Sequence, residues 1–291
     1  NSNKILNYSG NLENLSTFKF SKFDNFNIID TELVYTENGN IILSDGKGTI
    51  YKLNNNLKLI WKKNYYSKKE KKLSPILRFA VKNNSLIVAD NLSNFYLVDH
   101  LNGQLNWKKK NTTSFNSEIK IYKNYFYLVD YENILKCFSI SNGDLVWQYQ
   151  SENTLIRSNN KISIVLDDEN VIFLNNLGDL NALNLKNGNL KWQTPTRSSS
   201  FLENTFDLIY SDLVLNKKTI YFSNNKNEFF SVNSKNGNVN WSQNINSINR
   251  VSIIDKLIFV ISSEGFLVII EKNQGNIIRS NSIFRNLKIK N

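Results

Sequence analysis

Residues 85–107 read SLIVADNLSNFYLVDHLNGQLNW, and this stretch decides the fold. An apolar run from Leu86 to Ala89 stops at Asp90, a second strand-like run leads into Asn102-Gly103, and a third ends on Trp107. Short runs of β-branched and aromatic residues cut by polar turn residues read as strands. Asn-Gly supplies the pair of residues with positive φ that a tight hairpin demands, so a tight hairpin is expected there.

The same phrase recurs along the chain. The five tryptophans, Trp61, Trp107, Trp147, Trp192 and Trp241, stand 46, 40, 45 and 49 residues apart, and they close the phrases NNNLKLIW, LNGQLNW, SNGDLVW, KNGNLKW and KNGNVNW. A sixth phrase, NQGNIIR, carries Arg279 in the tryptophan place. Gly103, Gly143, Gly188, Gly237 and Gly275 stand four residues before that place. Seventeen before it comes a polar stop: Asp90, Asp130, Asn175, Asn224 and Ser262, with Asp45 one residue closer in a first copy that lacks the glycine.

Ahead of each group lies another short apolar segment, such as Glu32 to Thr36, Ile119 to Tyr122, Ile162 to Leu166 or Val251 to Ile254. That makes four short antiparallel strands in roughly 44 residues, the period of a propeller blade, whose faces are buried by stacking on neighbouring blades. Helical repeats of similar period want Ala, Leu and Glu at helical spacing, whereas this chain has three alanines, Ala80, Ala89 and Ala182. The expected fold is an all-β propeller over residues 31–291, with six complete blades ending near 61, 107, 147, 192, 241 and 279 and a partial seventh after 280. Residues 1–30 are expected to be a lead-in, with the option of donating a closing strand.

Composition narrows the function. One cysteine, Cys137, and one histidine, His100, make neither an intrachain disulfide nor a Cys/His zinc cluster. No apolar run approaches the ~18 residues that cross a bilayer as a helix. The chain opens at Asn1 and has no Met, so an initiator, with any signal peptide or lipid anchor, is expected to have preceded it. The net charge of +11 comes with 51 asparagines and six arginines, a bias that AT-rich coding produces, and it reads as scattered, solvated lysine.

Cys137 stands ten residues before Trp147, at the strand position held by Leu97, Ala182, Ser231 and Ile269 in other copies, and is expected to be a buried strand residue rather than a nucleophile. His100 is expected to be a surface turn residue, and Asp167-Asp168-Glu169 a polar turn between two strands. The stretch WKKNYYSKKEKKLSP, from Trp61, holds six lysines around Tyr65 and Tyr66 and is expected to be a solvated loop between blades. Basic residues among aromatics also suit a polyanion, either a nucleic-acid strand or, more weakly, an anionic membrane.

The phrase of strand, polar stop, Asn-Gly and Trp resembles the pyrroloquinoline-quinone-type (PQQ-like) propeller repeat, in which the tryptophan docks neighbouring blades. In layout the chain is most similar to the outer-membrane assembly factor B family of β-barrel assembly lipoproteins. The resemblance implies an eight-bladed, non-catalytic scaffold without cofactor or metal at the periplasmic face of the outer membrane. Trp61, Trp107, Trp147, Trp192 and Trp241, with Gly103, Gly143, Gly188 and Gly237, then dock the blades. The implied partners are the periplasmic domains of the barrel-assembly core protein and, further, unfolded outer-membrane proteins. Nucleic acid is not implied, and membrane contact is peripheral or through a lipid anchor.

That family docks its core partner through a leucine-arginine stretch ahead of one blade and acidic residues ahead of the next. By resemblance, Leu155 and Arg157 are the anchors here, and Asp207 and Asp212 the acidic side, although Ser158 and Asn159 follow the arginine where the family has Gly. Quinone-dependent dehydrogenases share the repeat and are the alternative, together with polyanion binding through Lys62 to Lys72. Such enzymes are about twice as long and set a vicinal cysteine pair against the cofactor, whereas Cys137 is alone.

Overall fold

The computed structural model describes residues 17–18, 32–151, 161–196 and 208–284. They belong to two compact units, residues 1–150 and 151–291. Among the described residues each unit shows three four-stranded antiparallel sheets, every one a meander in chain order.

In the first unit the sheets are β1 (Val34–Tyr35), β2 (Ile41–Ser44), β3 (Thr49–Leu53) and β4 (Leu59–Asn64); β5 (Leu77–Lys82), β6 (Ser85–Asp90), β7 (Asn94–Asp99) and β8 (Gln104–Lys110); and β9 (Lys120–Tyr122), β10 (Tyr125–Val129), β11 (Ile134–Ser139) and β12 (Leu145–Gln150). A single helical turn, α1 (Lys68–Lys71), joins the first sheet to the second. The second unit holds β13 (Ile164–Leu166), β14 (Asn170–Leu174), β15 (Asp179–Asn184) and β16 (Leu190–Pro195); β17 (Val214–Asn216), β18 (Thr219–Ser223), β19 (Phe229–Asn233) and β20 (Val239–Gln243); and β21 (Ser252–Ile254), β22 (Leu257–Ile261), β23 (Phe266–Glu271) and β24 (Ile277–Ser282).

The polar stops are the turn-makers between the second and third strands of each sheet. Asp90 Oδ1 accepts the backbone N–H groups of Leu92 at 2.8 Å and Asn94 at 2.7 Å. Asp45, Asp130, Asn175 and Asn224 each accept two backbone N–H groups in the same way. A carbonyl-type oxygen two bonds beyond Cβ reaches both donors and mimics a backbone turn, which is why the position takes Asp or Asn. Ser262 makes only the second of these bonds, to Phe266 N–H.

The Asn-Gly hairpins differ from the expectation of two left-handed residues. Only the glycines have positive φ, between +70° and +79° at Gly103, Gly143, Gly188, Gly237 and Gly275. The connection has four residues, closed by Gly103 N–H donating to Asp99 O at 2.8 Å, and the strand register shifts between Leu97 and Val98. Four-residue loops are built around a type I turn, so only the last residue needs the left-handed region. The asparagine instead accepts the N–H two residues on: Asn102 from Gln104, Asn142 from Asp144, Asn187 from Asn189 and Asn236 from Asn238. In the first sheet Leu57 takes the left-handed place, with φ +57°.

Within each unit the tryptophans join one sheet to the next. Trp61 Nε1–H donates to His100 O at 3.0 Å and Trp107 to Ile140 O at 2.9 Å, while in the second unit Trp192 reaches Ser234 O and Trp241 reaches Lys272 O, both at 3.1 Å. Each acceptor lies in the hairpin of the following sheet, beside that sheet's glycine. A Cβ at Gly143 would stand 2.7 Å from the Trp107 ring, and one at Gly275 would stand 2.5 Å from the Trp241 ring. The glycine is therefore required twice, by its backbone and by the indole from the neighbouring sheet.

Around these anchors the apolar residues of adjacent sheets interdigitate. Ile42, Ile50 and Trp61 of the first sheet pack with Leu77, Phe79, Leu86 and Val88 of the second. Phe95, Phe126 and Phe138 fill the next junction. In the second unit Tyr221, Phe229 and Val214 pack on Val251, Ile258 and Val260.

Candidate partner-binding site

Of the four residues assigned to partner binding, Leu155, Arg157 and Asp207 lie outside the described residues, and Asp212 lies within them. Asp212 stands two residues before β17 on a connection pinned from both sides. Leu213 N–H donates to Ser163 Oγ at 3.0 Å, and Ser223 N–H donates to Ser211 Oγ at 2.9 Å. Leu213 itself is buried. The carboxylate is thus carried on fixed backbone, with its side chain partly open to solvent.

Its ionic partner is Lys161, whose Nζ stands 3.7 Å from Asp212 Oδ1. Sequence reasoning missed this lysine, although a signal was present. A charged residue directly precedes a buried apolar residue just ahead of β9, β13, β17 and β21, as Glu118-Ile119, Lys161-Ile162, Asp212-Leu213 and Arg250-Val251. Beside the pair lies a small cleft of about 30 Å³ lined by Ser163, Leu174, Asn175, Tyr210 and Ser211. A cleft of that volume holds a water-sized group, so the place offers a charged, ridged surface rather than a small-molecule site.

The other candidate residues are structural. Cys137 is 1% exposed on β11, opposite Trp147, and burial pushes its thiol up to about 12, which removes thiolate character at neutral pH. His100 corrects the expectation of a surface turn residue: it is 5% exposed, with Nε2 2.6 Å from Asn83 O and Nδ1 3.2 Å from Lys52 Nζ. The carbonyl requires the proton on Nε2, which leaves Nδ1 to accept from the ammonium. Lys52 is itself buried and also donates to His100 O at 2.8 Å, and desolvation lowers its pKa from the usual lysine value. The sequence pattern hides this because the neighbours of the imidazole come from β3 and from the turn between β5 and β6, distant in the chain.

Asp167 forms the expected turn, accepting from Glu169 and Asn170 N–H groups. Among the described residues no group of three or more His, Cys, Asp or Glu stands where it could hold a metal ion, and no helix is long and apolar enough to cross a membrane.

The lysine-rich stretch is also more ordered than the loop that the sequence suggested. Lys62 and Lys63 belong to β4, and Ser67 caps α1 in a box with Glu70, whose carboxylate accepts Ser67 N–H at 2.8 Å. That bond, the largest contribution, together with Lys108, lowers the Glu70 pKa. Tyr66 is buried, its hydroxyl donating to Asp90 Oδ2 at 2.6 Å and accepting from Tyr96 at 3.3 Å. Tyr65 donates to Gly103 O at 2.7 Å, and burial raises its pKa to about 12.

These observations define the class first: an all-β protein of propeller blades, built from PQQ-like repeats and docked through tryptophan. The family model for outer membrane protein assembly factor BamB matches residues 14–281, and the chain belongs to that family. The crystal structure of BamB from Moraxella catarrhalis is similar in fold, with a TM-score of 0.72 at 14% identity over 87% of this chain and 75% of that one. No curated protein sequence matches.

Proposed function

We propose that this chain is a non-catalytic protein–protein scaffold that assists the assembly and insertion of β-barrel proteins into the outer membrane, working at its periplasmic face. The family match over residues 14–281 carries this reading. Its partner is the periplasmic part of the barrel-assembly core protein, with unfolded outer-membrane proteins as further clients. The physical means is rigid display. In the second unit the Trp192 indole bond joins the fourth sheet to the fifth, and the pinned backbone at Asp212 presents a contact residue at little ordering cost. Leu155 and Arg157 serve as anchors, with Asp207 and Asp212 as the acidic side and Lys161 setting the direction of the Asp212 carboxylate.

Titrating the folded chain with those periplasmic domains at low and high salt tests the reading. Saturable binding that persists in salt is expected, weakened about 30-fold or more by Arg157→Glu, the scale of breaking one buried charged contact. Asp212→Lys should weaken it as well. Absence of binding, or binding indifferent to both substitutions, overturns the reading.

A further inference from the structure

The positive charge is concentrated. Residues 62–72 and 108–110 hold nine lysines against one glutamate, a net +8 of the chain's +11. The two residues after the tryptophan are Lys-Lys in the first two blades, but Gln-Tyr, Gln-Thr and Ser-Gln in the next three.

The structure brings the two stretches together. Lys108 Nζ donates to Tyr65 O at 3.1 Å, stands 3.7 Å from Glu70 and lies 4.9 Å above the Tyr66 ring, so β8 is fastened to the end of β4 and to α1. Lys63 runs along Gly103, its Cγ 2.9 Å from where a Cβ would stand. Lys108 and Lys109 are ion-paired, with Glu70 and Asp144 respectively. Lys62, Lys63, Lys68, Lys69, Lys72 and Lys110 are exposed, and Leu73, directly after Lys72, is 62% exposed.

We infer that this lysine face, with Leu73 at its tip, docks the protein on an anionic phospholipid surface. Flexible ammonium groups on a solvated ridge suit a fluid layer of phosphate headgroups, and one apolar side chain among them suits its interfacial zone. A single-stranded nucleic acid fits less well. The tyrosines that would stack on bases are committed inside, Tyr66 to Asp90 and Tyr65 to Gly103, and the ridge has no arginine. The inference is independent of the scaffold reading, since it concerns the first two blades and names a lipid rather than a protein.

Co-sedimentation of the full chain with vesicles tests it. Binding is expected to vesicles containing phosphatidylglycerol, not to phosphatidylcholine alone, and should vanish at ~1 M salt, where screening acts over ~3 Å. The triple variant Lys68→Glu, Lys69→Glu, Lys72→Glu should lower partitioning on the order of a hundredfold, taking about fivefold for each lysine lost. Leu73→Ser should lower it several-fold. Lys186→Glu, Lys217→Glu, Lys235→Glu, an equal charge change in the second unit, should retain most of the binding. Equal loss in that control, binding indifferent to lipid charge, or tighter binding to a single-stranded oligonucleotide than to the vesicles would overturn the inference. Circular dichroism of each variant checks that it remains folded.

Discussion

The junction between the second and third sheets and the far face of the sixth are built from the same repeat positions and end in opposite states. At the junction, Trp107 bonds Ile140 O, stacks on Phe126 at 6.2 Å and covers Gly143. In the sixth sheet Arg279 holds the tryptophan place, paired across the ladder with Ile269 and bonded only locally to Asn281 Oδ1 at 3.2 Å. All of β24 is exposed, as are Ile261 and Phe266. The difference teaches that the tryptophan does more than fill its own sheet's core. It is one half of a joint whose other half is the next sheet's hairpin, and among the described residues Arg279 makes no such joint.

This contrast makes measurable claims. Trp107→Ala should cost about 3–5 kcal/mol in equilibrium denaturation, through lost ring burial and a cavity, whereas Arg279→Ala should change stability by no more than ~0.5 kcal/mol. Similar costs for the two would dissolve the distinction between them.

Glycine gives the next largest effect. Gly143→Ala meets both left-handed backbone and the Trp107 ring, and should cost roughly 2–4 kcal/mol. Gly39 has φ +74° with nothing within 4 Å of a Cβ, so Gly39→Ala isolates the backbone part at about 1 kcal/mol. A gap between the two glycines measures the docking contact itself.

Alkali reads burial rather than docking. The Cys137 thiol is raised to about 12 in the fold, and burial also raises Tyr127 beside it. A folded pKa above the unfolded one contributes stability that is complete below the unfolded value and is lost as pH rises through the folded value. Stability should therefore fall between pH ~9 and ~12, by about 1.4 kcal/mol per pH unit for the thiol alone. Replacing Cys137 with Ala should flatten that part of the slope, and a thiol reagent should label the native protein far more slowly than the unfolded chain.

Much of the fold was legible because its signals are local. Tryptophan spacing, polar stops and short apolar runs located the six sheets, and Cys137 took its place from the residues that occupy the same position in other copies. What escaped were partnerships between residues distant in the chain. Nothing near His100 in sequence announces Lys52 or Asn83, nothing near Tyr66 announces Asp90, and the Asn-Gly pairs look like two-residue hairpins until the length of the connection is seen. Asp212 was singled out by resemblance alone, while Lys161, its ionic partner, lies 51 residues away in the chain.

The sequence by itself determined that this chain forms repeated four-stranded sheets, because strand periodicity, turn chemistry and a fixed tryptophan–glycine spacing act over a few residues at a time. The tertiary structure decided which carbonyls the indoles meet, which polar groups such as His100 and Lys52 are sealed in, and which lysines remain on the surface. Those outcomes depend on what the neighbouring sheet places within a few ångströms, and the stacking of one repeat on the next is what sets that distance.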